Sequence, residues 1–336
     1  MSRSTKLMSL TIAVFILAGT AGAYAYVRGA WLYRGFAPPA ALGSMPVPGH
    51  PGRTVQVGSS TLESFAVTSA ALGGATVTSL VLLPPGYAAS STTRYPVLYL
   101  LHGTPGQPMN YVNVGQVGVW LSELIARGQI QPMIIVLPAG GLTTFSNNEW
   151  ANGVGSAAAW STYLARDVVN AVDARFRTIP QGWGRAIGGL SEGGYGAINI
   201  ALHHPGEFGT VQSWSGYEQA PNISVFGGDP QRLAANSPLT ELPAVAPTLV
   251  RDRTFFWFYT STLDESRAQN IAFADALTKA GVAHKFFIVP GSHNWATWRP
   301  RVPAALIAAS KHLTRRSITV QPETSRHHKK GPLRVH

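Results

Sequence analysis

Ser191 sits among glycines in the stretch Gly188-Gly189-Leu190-Ser191-Glu192-Gly193-Gly194. A G-x-S-x-G segment that follows a strand and opens a helix places its serine on a sharp turn, with the hydroxyl exposed and able to attack a carbonyl. A serine hydroxyl is a weak nucleophile at neutral pH, so it needs a base to take its proton and a third group to orient that base. Both residue types follow downstream, in the order used by hydrolases built on such an elbow: an acid at Asp264 or Glu265, then His293. The tetrahedral oxyanion formed by attack needs two fixed N–H donors. One comes from the residue after the nucleophile, Glu192. The other is expected from the glycine-bearing turn His102-Gly103-Thr104-Pro105-Gly106. Each piece has an ordinary reading too, since serines and aspartates favour helix N-caps. Their combination, in this order, is what points to chemistry.

The elements that must position these groups are legible as apolar runs. Residues 95–101, 132–138 and 254–261 read as buried strands, as does the run 285–289, while Ala186-Ile187 ends the strand that enters the elbow. Residues 195–202 read as a helix whose small residues let it lie close on the sheet, and further helices are expected over 163–176 and through Phe273, Ala276 and Leu277. Residues 62–68 and 75–83 read as antiparallel edge strands. Strands alternating with helices predict an α/β fold with a mostly parallel central sheet flanked by helices. An acid just past one strand and a histidine just past the next would share the carboxyl edge of that sheet with Ser191, where ligand crevices form.

The segments LLHG at 100–103, GLSEGGYGA at 189–197, FGGDPQRLAANSPL at 226–239 and HNWATW at 293–298 resemble the esterase D group of α/β-hydrolases. That group includes S-formylglutathione hydrolases, feruloyl and other carboxylesterases, and mycolyltransferases, and the likeness covers about residues 61–313. It implies an α/β-hydrolase fold with Ser191 as nucleophile, His293 as base, and the backbone N–H groups of Thr104 and Glu192 as oxyanion donors. It implies Asp264 as the acid, placed before Asn270, with Glu265 as second choice, and it implies no metal and no cofactor. Residues 145–150 (FSNNEW) resemble a pocket loop of the mycolyltransferases, but His102-Gly103 stands where those enzymes carry an acidic residue. That departure puts hydrolysis of an ester ahead of acyl transfer to envelope glycans or lipids. A non-catalytic envelope-binding protein on the same scaffold is the third reading.

Tyr111, Trp150, Trp295 and Trp298 are candidate pocket aromatics, beside His102 and Gly103. His102 is expected to orient the oxyanion loop rather than to move protons. His203 and His204 fall at a helix end, where positive charge complements the dipole. Asp229 and Asp252 read as surface or capping residues.

Composition bounds the remaining classes. The chain has 336 residues, no cysteine and a net charge of +11, so disulfides, thiol nucleophiles and cysteine metal sites are excluded. The charge is not spread over the body. Arg3, Lys6, Arg28 and Arg34 lie near one end, and residues 311–336 carry seven basic residues against Glu323, which leaves the middle nearly neutral. Nothing there suggests nucleic-acid binding. The Arg326-His327-His328-Lys329-Lys330 run is assigned no metal, and no feature fixes an oligomeric state.

Residues 7–27 are uncharged behind Arg3 and Lys6, and these 21 residues are long enough for a helix to span a bilayer. Ala23-Tyr24-Ala25 would suit signal cleavage, whereas Tyr24, Tyr26, Trp31 and Tyr33 resemble an interfacial belt. The expectation is an anchor over residues 1–27 that holds the body outside the cytoplasm at the cell membrane, with secretion as the alternative. A Pro/Gly-rich linker over 28–55 follows, then the catalytic domain at 56–316 and a basic tail at 317–336. Residues 217–250, rich in Pro, Gly and Asn, read as irregular and as a partial lid.

Overall fold

Apolar runs without polar alternation belong to strands covered on both faces, and these runs occupy the centre of one sheet. The computed structural model describes residues 54–89, 92–141, 146–154 and 158–314. Nine strands run in the spatial order β1-β2-β3-β5-β4-β6-β7-β8-β9. They are β1 (Thr54–Val57), β2 (Ser60–Ser69), β3 (Ala75–Leu83), β4 (Val97–Leu101), β5 (Ile134–Leu137), β6 (Arg185–Gly189), β7 (Thr210–Trp214), β8 (Phe255–Ser261) and β9 (His284–Val289). From β5 through β9 every neighbouring pair is parallel. β1, β2 and β3 form an antiparallel edge that joins through β3 to β5. This is the sheet of an α/β-hydrolase fold. β1 begins at Thr54, slightly inside the stretch read as linker.

The helices follow from the same pattern. Among them are α1 (Met109–Asn113), α2 (Val117–Ala126), α3 (Val169–Arg175), α4 (Glu192–His203), α5 (Pro230–Ala235), α6 (Pro238–Arg251), α7 (Arg267–Lys279), α8 (Trp295–Trp298) and α9 (Val302–Thr314). One turn at Trp160–Thr162 and a π-wound stretch at Tyr163–Val168 lead directly into α3. Two apolar clusters cover the sheet. One gathers Tyr99, Val136, Tyr163, Ile198 and Phe258; the other gathers Leu98, Leu100, Tyr111, Trp214 and Leu306. They lie on opposite faces, because successive residues of β4 alternate between them.

Residues 217–229 are irregular apart from a single turn at Ser224–Phe226, as expected, but residues 230–250 are not. That later part holds α5 and the 14-residue α6, which carries Pro243 and Pro247 inside it. Prolines in a helix interior forfeit hydrogen bonds, which is why the sequence pattern hid this helix. Leu242, Ala246 and Leu249 are buried at helical spacing, and that burial outweighs the local penalty. Asp229 caps α5 by accepting from the Gln231 N–H at 2.9 Å.

The anchor or signal segment, most of the linker, the basic tail and Phe145 lie outside the described residues. Among the described residues no helix is long and apolar enough to cross a membrane.

Candidate active site

Register brings the carboxyl ends of four strands together. Leu101 of β4 pairs with Gly189 of β6, so the turn from His102 to Gly106 lies beside Ser191. Ser261 of β8 pairs with Val289 of β9, so Asp264 and His293 leave adjacent strands at nearly the same height.

Ser191 adopts φ 56° and ψ −124°, a strained conformation for a residue with a side chain and one that nucleophile elbows impose. The flanking glycines make the turn possible. A Cβ on Gly189 would strike the carbonyl of Gly193, and one on Gly193 would strike the carbonyl of Leu101. The Ser191 N–H donates to the Trp214 carbonyl at 2.9 Å, fixing the elbow to β7.

His293 Nε2 lies 2.8 Å from Ser191 Oγ, and its Nδ1 lies 3.1 Å from Asp264 Oδ2. The three residues sit far apart in sequence and form one hydrogen-bonded chain. Asp264 is almost fully buried while His293 keeps about a quarter of its side chain exposed (3% and 25%). Burial alone would raise the Asp264 carboxyl, but its hydrogen bond to His293, the imidazole charge and nearby hydroxyls hold it below its ordinary value. Ser266 contributes its backbone N–H at 3.3 Å and its hydroxyl at 3.0 Å to Asp264 Oδ1. Glu265 is exposed, and it is Asp264 that meets the ring. Asn270, which follows at the predicted spacing, donates to the carbonyl of Gly216 at 2.9 Å and so ties α7 to the end of β7.

The expected oxyanion donors are linked to one another. The Thr104 hydroxyl donates to the Glu192 carboxyl in a short contact. Glu192 also accepts the backbone N–H groups of Asn148 at 3.3 Å and Glu149 at 2.8 Å. Among the described residues, neither the Thr104 nor the Glu192 N–H is spent on a protein acceptor, so both are free for a ligand. Burial pushes the Glu192 carboxyl up, against the pull of these donors. Glu149 is raised by burial and by the charge of Glu192, and it accepts a hydrogen bond from the Tyr217 hydroxyl. A pair of buried carboxyls, both pushed up, therefore backs the elbow.

His102 is buried and holds the turn from below. Its Nε2 accepts the Gly140 N–H at 3.0 Å, so the proton resides on Nδ1, which donates to the Gly103 carbonyl at 3.0 Å. Trp150 is fully buried, packed edge-on to His102 with ring centroids 5.2 Å apart, and donates its indole N–H to the His102 carbonyl at 3.1 Å. It supports the turn from within the core and, among the described residues, lines neither the cavity nor the groove beside Ser191, unlike the sequence expectation of a pocket residue. Its burial follows from Gly196, whose missing side chain admits the ring against α4. Tyr111, Trp295 and Gly103 do border the site, on the wall of a small cavity beside Ser191.

A larger open groove of about 770 Å³ also borders Ser191, lined by Tyr217, Gln219, Pro221, Leu263, Gln269 and His293 among others. Only the first residues of the expected lid, from Tyr217 to Pro221, reach it; α6 packs instead against α4 and α7. Sequence reasoning missed Tyr217, Ser266 and the Glu149–Glu192 pair. The pair carries one visible signal, an acid directly after the nucleophile.

The Esterase family model, described as putative esterase, matches residues 69–309. The chain belongs to the esterase family. The chain is 29% identical over 247 residues to an esterase of Mycobacterium tuberculosis, covering 63% of this chain and 51% of that protein. It is 26% identical over 202 residues to the diacylglycerol acyltransferase/mycolyltransferase Ag85A of Mycobacterium leprae, covering 49% of this chain and 61% of that one. The chain thus spans about half the length of the first of these relatives. A solved ferulic acid esterase superposes with a TM-score of 0.67 at 25% identity, over 75% of this chain and 99% of that one.

Proposed function

We propose that this chain is a serine esterase that cleaves a carboxylic ester through an acyl-enzyme on Ser191. The observation that carries this reading is the continuous chain from Ser191 Oγ through His293 to Asp264, at 2.8 and 3.1 Å. As Ser191 Oγ attacks the ester carbonyl carbon, its proton passes to His293 Nε2. Asp264 holds the ring in the Nδ1–H tautomer and stabilises the imidazolium. The carbonyl oxygen becomes an oxyanion facing the Thr104 and Glu192 N–H groups; loss of one such donor costs about 3 kcal/mol in a comparable hydrolase. The tetrahedral intermediate then expels the alcohol, whose oxygen takes the proton from His293. Water repeats the cycle on the acyl-enzyme, giving its proton to His293 and releasing the acid and Ser191.

Acyl transfer is the second reading, favoured by the similarity to a mycolyltransferase. It uses the same acyl-enzyme, resolved by a second alcohol. Incubation with an activated ester in the presence and absence of a sugar acceptor separates the two. The esterase reading predicts free acid as the main product in both mixtures; acylated sugar formed faster than free acid would replace it with the transferase reading. The uncharged stretch 7–27 and its aromatic flank support a membrane-held or exported body, which fractionation of cells producing the chain tests.

A further inference from the structure

We propose that the Glu192 side chain is a positioning group that sets the oxyanion hole, holding the residue that carries one donor against the residue that carries the other. The inference rests on the acyl-enzyme reading and gives a role to the acid directly after the nucleophile. The two donors belong to separate elements. The Glu192 N–H lies at the start of α4, and the Thr104 N–H lies in the turn after β4. Stabilising an oxyanion requires both donors to be aimed at one spot before the charge forms, so the distance between α4 and the turn has to be fixed.

Pairing of β4 with β6 brings the turn and the elbow together, but no backbone hydrogen bond among the described residues holds Thr104 itself. Its hydroxyl does so instead. That hydroxyl faces two acceptors, the Glu192 carboxyl in a short contact and the Ser146 carbonyl at 3.2 Å. The residue bearing one donor thus grips, through its own side chain, the residue bearing the other. The second carboxyl oxygen of Glu192 accepts at the same time from the N–H groups of Asn148 and Glu149, at 3.3 and 2.8 Å.

Those N–H groups belong to a strained segment. Glu149 and Trp150 have φ of 54° and 50°, a left-handed backbone that is uncommon for residues with side chains and persists only where the surroundings impose it. The segment in turn braces the oxyanion turn. Trp150 donates its indole N–H to the His102 carbonyl at 3.1 Å, and the Asn148 amide donates to the carbonyl of Gly140, whose own N–H is received by His102. An acid in this place is otherwise a disadvantage, since negative charge beside a developing oxyanion opposes it. Three donors converging on one carboxyl, in a residue only 4% exposed, point to what it does instead.

The test is Glu192→Met, which keeps the length of the side chain and removes the carboxyl, assayed on p-nitrophenyl acetate with the full chain. Misplacing a catalytic group slightly costs about 100-fold, and kcat and kcat/KM should fall together by about that factor, because only the transition state uses the donors. Binding of a trifluoromethyl ketone, which forms a tetrahedral adduct on a serine, should weaken in the same proportion. In Glu192→Gln the oxygen can receive the Asn148 and Glu149 N–H groups while the amide donates to the Thr104 hydroxyl, so this variant should recover most of the loss. Thr104→Val removes the hydroxyl that Glu192 grips. It should show a similar fall, the double variant should be no worse than either single one, and it carries the test by itself if Glu192→Met does not fold. Unchanged kcat in Thr104→Val, or in a Glu192→Met that is folded but less stable, would overturn the inference alone, as would losses that multiply in the double variant. No turnover of the ester by the wild type, together with no labelling of Ser191 by a fluorophosphonate, would overturn the esterase reading and this inference with it.

Discussion

Acidification should cost this protein stability through one ring, His102. The imidazole is buried, and its two nitrogens are engaged by the Gly140 N–H and the Gly103 carbonyl, each at 3.0 Å. A protonated ring cannot accept the Gly140 N–H and would carry charge in a site without a counter-ion among the described residues. Burial accordingly lowers its pKa from 6.5 to about 4. The folded state therefore refuses a proton that the unfolded chain binds, so the stabilisation is present above pH 6.5 and is lost as pH falls towards 4. At 1.36 kcal/mol per pH unit this amounts to roughly 3 kcal/mol. His102→Gln keeps an acceptor for Gly140 and does not titrate; it should cost about 1–3 kcal/mol at pH 7, through the bond lost at Gly103. Urea unfolding of both proteins from pH 7 to pH 4 isolates the ring, because other titrating groups cancel in the difference. The gap between wild type and variant should close by roughly 3 kcal/mol across that range. Parallel curves would refute the reasoning.

Asp264→Asn should lower kcat by about 10⁴, the cost of presenting the wrong imidazole tautomer, while Glu265→Gln should stay near the wild-type rate; steady-state kinetics on an activated ester would expose the reverse. Glu192→Gln preserves the hydrogen-bond acceptor for the Asn148 and Glu149 N–H groups and cannot ionise. Burial raises the Glu192 carboxyl from 4.5 to about 7, so the wild type loses stability as pH rises from 4.5 to 7, and thermal melts should show the variant gaining on the wild type across that range and little above it. Glu218 is fully buried, its carboxyl lacks a hydrogen-bond partner among the described residues, and burial with the Asp264 charge raises it well above its ordinary value. Glu218→Met should be neutral or stabilising by about 1–2 kcal/mol; a clear drop in Tm would show a partner for the carboxyl.

The strands and the residues of the site were readable because their signals are local. A β-branched or aromatic run such as 255–261 fits little but a buried strand, and a serine between glycines fits little but a tight turn. β7 was missed. Its run from Thr210 to Trp214 carries Gln212 and Ser213, and Gln212 is tolerated only because its amide donates to the Ala305 carbonyl at 2.8 Å, far along the chain. α6 was missed because its prolines argue against a helix that tertiary burial nonetheless stabilises. Trp150 was misplaced for a related reason: an aromatic near a site in sequence can as well support it from below, and only the gap left at Gly196 decides which. The choice between Asp264 and Glu265 could not be made from adjacent positions in a loop, since it depends on which carboxyl the backbone turns towards His293.

The central claim is that Ser191 is made nucleophilic by His293, and covalent labelling tests it without knowledge of the natural substrate. The chain treated with a fluorophosphonate and digested should carry the adduct on the peptide containing Ser191. Labelling should be absent in Ser191→Ala and slowed by orders of magnitude in His293→Ala. An adduct on another residue, or undiminished labelling of Ser191→Ala, would contradict the account.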